Sequence, residues 1–131
     1  MKKLLITTLI AFTLNATSAF AKCEGGTIVT GVENNHDYCV SSTTMVWWSA
    51  IVWCEQQGRK LATLNQACNG WNGDIVGNGT CPNLAVGTNK AVWTVNPSGD
   101  SSAYIVNLSS GNVSSYIRTG YYFTYYSALC Y

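Results

Sequence analysis

The cysteine content constrains the fold of this chain more than any other feature. All six cysteines lie downstream of residue 22, and they are Cys23, Cys39, Cys54, Cys68, Cys81 and Cys130. An even number of cysteines in a small exported domain is typical of a disulfide framework, although the count alone leaves the pairing open. The competing interpretation is a zinc site, but the sequence has no C-x-x-C pair and only one histidine, His36. We therefore predict a disulfide-stapled domain with no metal and no other cofactor.

Residues 1–21 have the three parts of a secretory signal peptide. Lys2 and Lys3 are followed by an uncharged apolar run and then by Ala19-Phe20-Ala21, with small residues at the positions that a signal peptidase recognises. The apolar run is about eleven residues long, whereas a helix needs roughly 20 to span a bilayer, which argues against a membrane anchor. We expect cleavage after Ala21 and export of residues 22–131 as one domain that is secreted, periplasmic or displayed on the surface of a bacterium.

The charge of the exported part excludes some classes of partner. It carries five basic and six acidic side chains, hence a net charge of about −1. Nucleic acids and anionic membranes attract basic surfaces, and this composition provides none. We therefore expect no nucleic-acid partner and no stable membrane insertion after the signal is removed.

The first elements of the domain are predicted to be two strands of a hairpin. Thr27–Thr30 is a short β-like run, Gly31–Asn35 has turn composition, and His36–Ser41 is suited to return as the second strand. Cys23 and Cys39 would then lie at the open end of the hairpin, in a position to form a disulfide.

Residues 45–57 give the clearest helix signal, since they contain neither Gly nor Pro. Ser41–Thr44 offers N-cap candidates, and Gly58 suits the C-terminal end. One face would carry Trp47, Ala50, Ile51 and Cys54, and apolar residues flank that face on both sides. We expect the core and the hairpin to cover this helix, in preference to a partner protein.

The remaining elements complete an α+β domain. Residues 61–68 favour a second, shorter helix, and residues 69–89 favour a long loop that a Cys68–Cys81 disulfide would tie. Alternating patterns predict strands at residues 90–96, 103–108, 113–119 and 125–131.

The segment from Trp47 to Ala62 resembles the first-helix signature of C-type lectin-like domains. That signature is W-x-x-A-x-x-x-C-x-x-x-G-x-x-L-A, and every fixed position is present here. Three weaker matches extend the resemblance over most of residues 23–131. They are the cysteine pair Cys23 and Cys39, the strand Val92-Trp93-Thr94 and the closing Ala128-Leu129-Cys130-Tyr131.

The resemblance implies the fold and one disulfide. Two helices would pack on short antiparallel sheets with an N-terminal hairpin, and Cys54 on the first helix would pair with Cys130 on the last strand. The Cys68–Cys81 pair does not match the second pair of that family in position, and it depends on proximity and elimination.

The sequence departs from the sugar-binding members of that family in its calcium motifs. Those members carry Glu-Pro-Asn or Gln-Pro-Asp followed by Trp-Asn-Asp, whereas this chain has Cys81-Pro82-Asn83 and Asn96-Pro97-Ser98. Trp71-Asn72-Gly73-Asp74 is similar to the second motif, but it contains an extra Gly and precedes the Trp93 strand. We therefore expect binding without calcium.

Catalytic residues are not evident in the sequence. His36 has no carboxylate partner other than its neighbour Asp37 and is predicted to lie exposed in a turn. The six acidic residues are scattered, and the cysteines are expected to be bonded. We therefore predict a protein that is not an enzyme.

Aromatic side chains are the best candidates for ligand contacts. Tyrosines crowd the last quarter of the chain among Ser, Thr and Gly, a composition that binding surfaces favour because tyrosine offers a large contact area at low entropic cost. We expect the ligand to contact Trp71, Tyr121, Tyr122 and Tyr125. The alternative is that strand alternation buries about half of the tyrosines, and that Trp71 fills its own loop.

Three functional hypotheses follow. The first is a binding module that recognises an extracellular glycan or protein. The second is a structural or adhesive subunit of a bacterial surface assembly, suggested by the apolar first helix, so that oligomerisation stays open. The third is a tyrosine-rich surface diversified for ligand capture.

Overall fold

The computed structural model describes residues 21–69, 79–118 and 125–131. These residues form two helices and nine strands, which confirms the α+β class with three disulfides. In chain order the elements are β1 (Gly26–Thr30), β2 (Asp37–Met45), α1 (Trp47–Gln56), α2 (Leu64–Ala67), β3 (Cys68–Asn69), β4 (Gly79–Thr80), β5 (Asn83–Leu84), β6 (Ala91–Pro97), β7 (Ser102–Asn107), β8 (Asn112–Ile117) and β9 (Tyr126–Cys130).

Seven of the strands form one sheet in the order β1-β2-β9-β6-β7-β8-β4, and β3 pairs with β5 in a separate two-stranded sheet. The N-terminal hairpin is present as predicted, with β1 antiparallel to β2 from Gly26 opposite Ser41 to Thr30 opposite Asp37. The prediction of short antiparallel sheets is wrong in two respects. One long sheet spans the domain, and its central strands β6 and β9 run parallel.

The start of α1 differs from the prediction. Residues 41–44 are not N-caps, because β2 continues to Met45, which pairs with Tyr126 of β9. Val46 occupies the N-cap position and provides no side-chain hydrogen bond. Trp47 fixes the first turn instead, since its indole Nε1 donates to the backbone oxygen of Thr94 over 2.8 Å.

The end of α1 agrees with the prediction. Gly58 has a positive φ of 70°, a conformation that glycine adopts without steric cost. Its N–H donates to the Glu55 oxygen over 2.9 Å, and the N–H of Arg59 donates to the Cys54 oxygen over 3.0 Å. These two bonds form a Schellman motif, which satisfies carbonyl groups in the last turn of the helix.

The second helix is a single turn, shorter than the predicted 61–68. Ala62 cannot join it, because its N–H donates to the Leu129 oxygen of β9 over 2.7 Å. A capping box formed by Thr63 and Gln66 begins the helix at Leu64.

The predicted loop at residues 69–89 starts at the last residue of β3 and contains β4 and β5 in its described part, while β6 to β9 begin and end close to the predicted bounds. The three disulfides are Cys23–Cys39, Cys54–Cys130 and Cys68–Cys81, the pairs expected from the sequence.

The buried side chains form two groups, and chain neighbours such as Val92 and Trp93 belong to different groups. Since successive residues of a strand point to opposite faces, one group lies on each face of the long sheet. In the part of the chain described, no helix is long and apolar enough to cross a membrane.

Candidate functional site

Only one of the four predicted ligand contacts can be placed. Tyr125 precedes β9 and has 48% of its surface exposed. Trp71, Tyr121 and Tyr122 lie outside the described residues.

A polar groove of about 400 Å³ lies where β4 pairs with β8, at one end of the long sheet. The two strands pair there with Gly79 opposite Val113 and Thr80 opposite Asn112. The lining consists of hydroxyl and amide side chains, one valine, one glycine and one tyrosine ring: Gly79, Thr80, Asn112, Val113, Ser114, Ser115 and Tyr116. None of these side chains is charged, so the groove suits a neutral ligand rich in hydrogen-bonding groups.

Tyr116 is the aromatic member of the groove and is held by its neighbours. Its ring is 40% exposed and lies 5.1 Å from the ring of Tyr126, centroid to centroid. Tyr126 in turn meets Trp93 edge-on at 5.2 Å. Trp93 is fully buried, and its Nε1 donates to the Met45 oxygen over 2.8 Å. The row of rings therefore links the groove to the core, which positions Tyr116 before any ligand arrives.

The environment of Tyr126 favours the neutral phenol. Burial raises the pKa of Tyr126, and its hydrogen bond with Tyr116 raises that pKa further. The Tyr126 hydroxyl is therefore neutral at physiological pH and able to donate and accept hydrogen bonds.

Arg118 follows β8, and its guanidinium contacts other parts of the protein. The Arg118 guanidinium lies over the Trp47 ring, 4.8 Å from its centroid, and its Nη2 donates to the backbone oxygen of Asp100. This cation–π contact ties β8 to the start of α1. Arg118 thus has a structural role next to the groove.

A second surface is apolar and lies on α1. Trp48 is 54% exposed and Val52 is also exposed, which corrects the prediction that the core and hairpin cover this helix. Together with neighbouring side chains they form a shallow groove of about 490 Å³, lined by Met45, Trp48, Ser49, Val52, Trp53 and Gln56. We call it the α1 groove.

The single histidine is packed between aromatic rings. His36 stacks on Tyr131 with 3.7 Å between ring centroids and meets Tyr38 edge-on at 5.2 Å. The prediction of an exposed turn residue is therefore wrong, because the two tyrosines half-bury the imidazole. Among residues 21–69, 79–118 and 125–131, no three His, Cys, Asp or Glu side chains gather as a metal site would require.

Sequence reasoning missed the groove itself. Tyr116 belongs to the tyrosine-rich quarter, but Gly79 and Thr80 reach the groove from a two-residue strand that has no strand pattern of its own. The sequence matches no protein-family profile, and no curated protein is significantly similar to it.

Proposed function

We propose that this chain is an exported, non-catalytic binding module of the C-type lectin-like fold that recognises a neutral glycan without calcium. The observation that carries the proposal is the uncharged groove between β4 and β8, where hydroxyl and amide groups surround the exposed ring of Tyr116. Sugars present hydroxyl groups at their edges and C–H groups on their faces, so amides and hydroxyls bind the edges while an aromatic ring stacks on a face.

The fold part of the proposal is supported by the signature residues. Trp47, Ala50 and Cys54 are buried on one face of α1, and Gly58 ends that helix. The Cys54–Cys130 disulfide joins the first helix to the last strand, which is the pairing that the resemblance implies.

The export part is supported by covalent chemistry. Three disulfides in a small domain are typical of an oxidising compartment. Residues 1–21 have the composition of a secretory signal. Mass spectrometry of the exported protein should find Lys22 at its N-terminus, and a retained residue 1 would contradict the proposal.

The binding part is tested by glycan-array screening of the folded domain, followed by calorimetry with the best neutral glycan. Tyr116→Ala should weaken binding by about 1 kcal/mol or more. Tyr116→Phe keeps the ring and should retain most of the affinity. Ser101→Ala, at an exposed turn outside the groove, is the control and should bind like the wild type.

The sequence adds two further variants to the same experiment. Trp71→Ala and Tyr122→Ala should each weaken binding by about 1 kcal/mol or more with little change in melting temperature. A parallel loss of stability would mean that these rings belong to the core. If the domain binds proteins on a surface-protein array but no glycan, the ligand is a protein and the glycan proposal is wrong.

The exposed α1 groove favours a second candidate, a subunit of a surface assembly. Trp48 and Val52 expose apolar surface to solvent, and contact with another subunit would bury it. In that case the purified domain should form assemblies larger than a dimer, and Trp48→Ser should dissolve them. A monomer or a closed dimer counts against this candidate.

A further inference from the structure

The strand β1 forms one end of the long sheet, opposite the end that holds the polar groove. Within the described parts of the chain, nothing pairs with its outer side. Its sequence is Gly-Thr-Ile-Val-Thr, with four consecutive β-branched residues and no charge or proline. Edge strands of soluble proteins are usually protected by charges, prolines or bulges, and β1 has none of these.

The register shows which backbone groups of β1 point outward. At both ends of the hairpin, the residue bonded across to the second strand has an odd number. The Gly31 N–H donates to the His36 oxygen over 2.7 Å, and the Ser42 N–H donates to the Gly25 oxygen over 3.0 Å. Because such pairs alternate along an antiparallel ladder, Thr27 and Val29 bond to β2. The N–H and C=O groups of Ile28 and Thr30 therefore point away from the sheet.

The side chains next to this open edge are apolar. Ile28 is 45% exposed and lies opposite Cys39, whose side chain packs with α1, so Ile28 stands on the α1 face of the sheet. Gly26 lies on the same face beneath Trp53, and a Cβ at Gly26 would come within 3.0 Å of the Trp53 ring. The α1 groove thus borders the edge, since Trp53 lines the groove and covers Gly26.

We propose that β1 pairs antiparallel with β1 of a second copy of this chain, about a two-fold axis at Ile28. In that register the two Ile28 residues exchange both hydrogen bonds, and Gly26 lies opposite Thr30 of the second copy. The outward groups of Ile28 and Thr30 and the Gly26 oxygen are the ones this register uses, while the Gly26 N–H donates to the Cys23 oxygen over 3.4 Å. The strand is therefore complementary to itself around Ile28.

Side chains and charge also fit a second copy. The two Ile28 side chains meet on the α1 face and join the two α1 grooves into one apolar surface. No charged side chain lies on β1, so no like charges meet at the axis. Pairing of this kind is isologous and closes at two copies, which leaves no free β1 edge for further growth.

The experiment uses the disulfide-bonded domain from residue 22 to residue 131 in sedimentation equilibrium. The wild type should show a concentration-dependent dimer. Ile28→Pro removes an outward N–H that β2 does not use, so it should raise the dimer dissociation constant about tenfold or more while the monomer stays folded. If that variant does not fold, Ile28→Lys retains the N–H and places two like charges at the axis, with the same expected effect. Ser101→Lys, at an exposed turn far from β1, is the control and should dimerise like the wild type.

Residue-resolved hydrogen exchange identifies the surface that pairs. The amides of Ile28 and Thr30 should exchange slowly only at concentrations that populate the dimer, whereas the amide of Val29 should be protected in monomer and dimer alike. A domain that is monomeric up to about 1 mM would overturn the proposal. Species larger than two copies, or a dimer that both Ile28 variants leave unchanged, would overturn it as well.

Discussion

Tyr126 contacts two aromatic rings that belong to different parts of the molecule. Trp93 is buried in the sheet, while Tyr116 lies at the polar groove. Burial and the hydrogen bond with Tyr116 raise the pKa of Tyr126, and burial is the main cause that raises the pKa of Tyr38. Both phenols are thus more difficult to ionise in the folded protein than in the unfolded chain.

These raised pKa values predict a loss of stability at alkaline pH. An unfolded tyrosine ionises near pH 10, so above about pH 10 the folded state holds protons that the unfolded state has lost. The stabilisation is complete below that pH, and the free energy of unfolding should fall as pH rises further. Urea unfolding from about pH 8 to 11 measures this slope. Tyr126→Phe should make it shallower. An unchanged slope in Tyr126→Phe would contradict the assignment.

At the scale of elements, the N-terminus of α1 lacks a side-chain cap. Val46 has extended backbone angles, φ −70° and ψ 160°, which suit an N-cap, but its side chain accepts no hydrogen bond. Val46→Ser places a hydroxyl where it accepts from the first turn, and it should stabilise the domain by about 0.5–1 kcal/mol. Chemical unfolding measures the gain. Val52→Ser, at an exposed position in the middle of the same helix, is the matched control and should not stabilise.

Elements defined by local signals could be predicted from the sequence. The turn at residues 31–35 predicts the hairpin, and Gly58 predicts the end of α1, because each depends on the conformation of a few consecutive residues. The start of α1 and of α2 could not be predicted. Both depend on β9, which pairs with Met45 and accepts the hydrogen bond from Ala62, and β9 is more than sixty positions away in the sequence.

The same distinction holds for the candidate site. Tyrosine density identified the part of the chain that contains Tyr116 and Tyr125, since composition is a local property. The groove itself arises because Thr80 pairs with Asn112, a contact between residues that no periodicity connects. The exposure of Trp48 was likewise not predictable, because it depends on how far the hairpin extends over α1.

At the scale of the whole molecule, the disulfides differ in the length of chain that they close. Cys54 and Cys130 are 76 positions apart, whereas Cys23 and Cys39 are 16 apart. Loop entropy assigns about 4 kcal/mol to the longer closure and about 3 to the shorter. Replacing Cys54 and Cys130 together with Ala should therefore destabilise the domain more than the same change at Cys23 and Cys39. Denaturant unfolding of both double variants measures the order, and peptide mapping without reduction establishes which pairs form.

The charge distribution of the whole chain leads to the last prediction, that stability and binding do not depend on calcium. A calcium ion collects about six to eight oxygen ligands and usually several carboxylates. Beyond Gly58 the sequence contains only two acidic residues, Asp74 and Asp100. Asp74 lies outside the described residues, and the backbone oxygen of Asp100 accepts a hydrogen bond from Arg118.

The two carboxylates beyond Gly58, with a guanidinium bonded to the backbone of Asp100, would hold calcium only at the weak end of its affinity range. The melting temperature and the glycan affinity should therefore be the same with calcium as with excess chelator. Magnesium in place of calcium is the control for ionic strength and nonspecific divalent effects. A melting temperature that rises by several degrees with calcium but not with magnesium would require a site formed by neutral oxygens. Loss of binding on chelation would place that site in contact with the ligand.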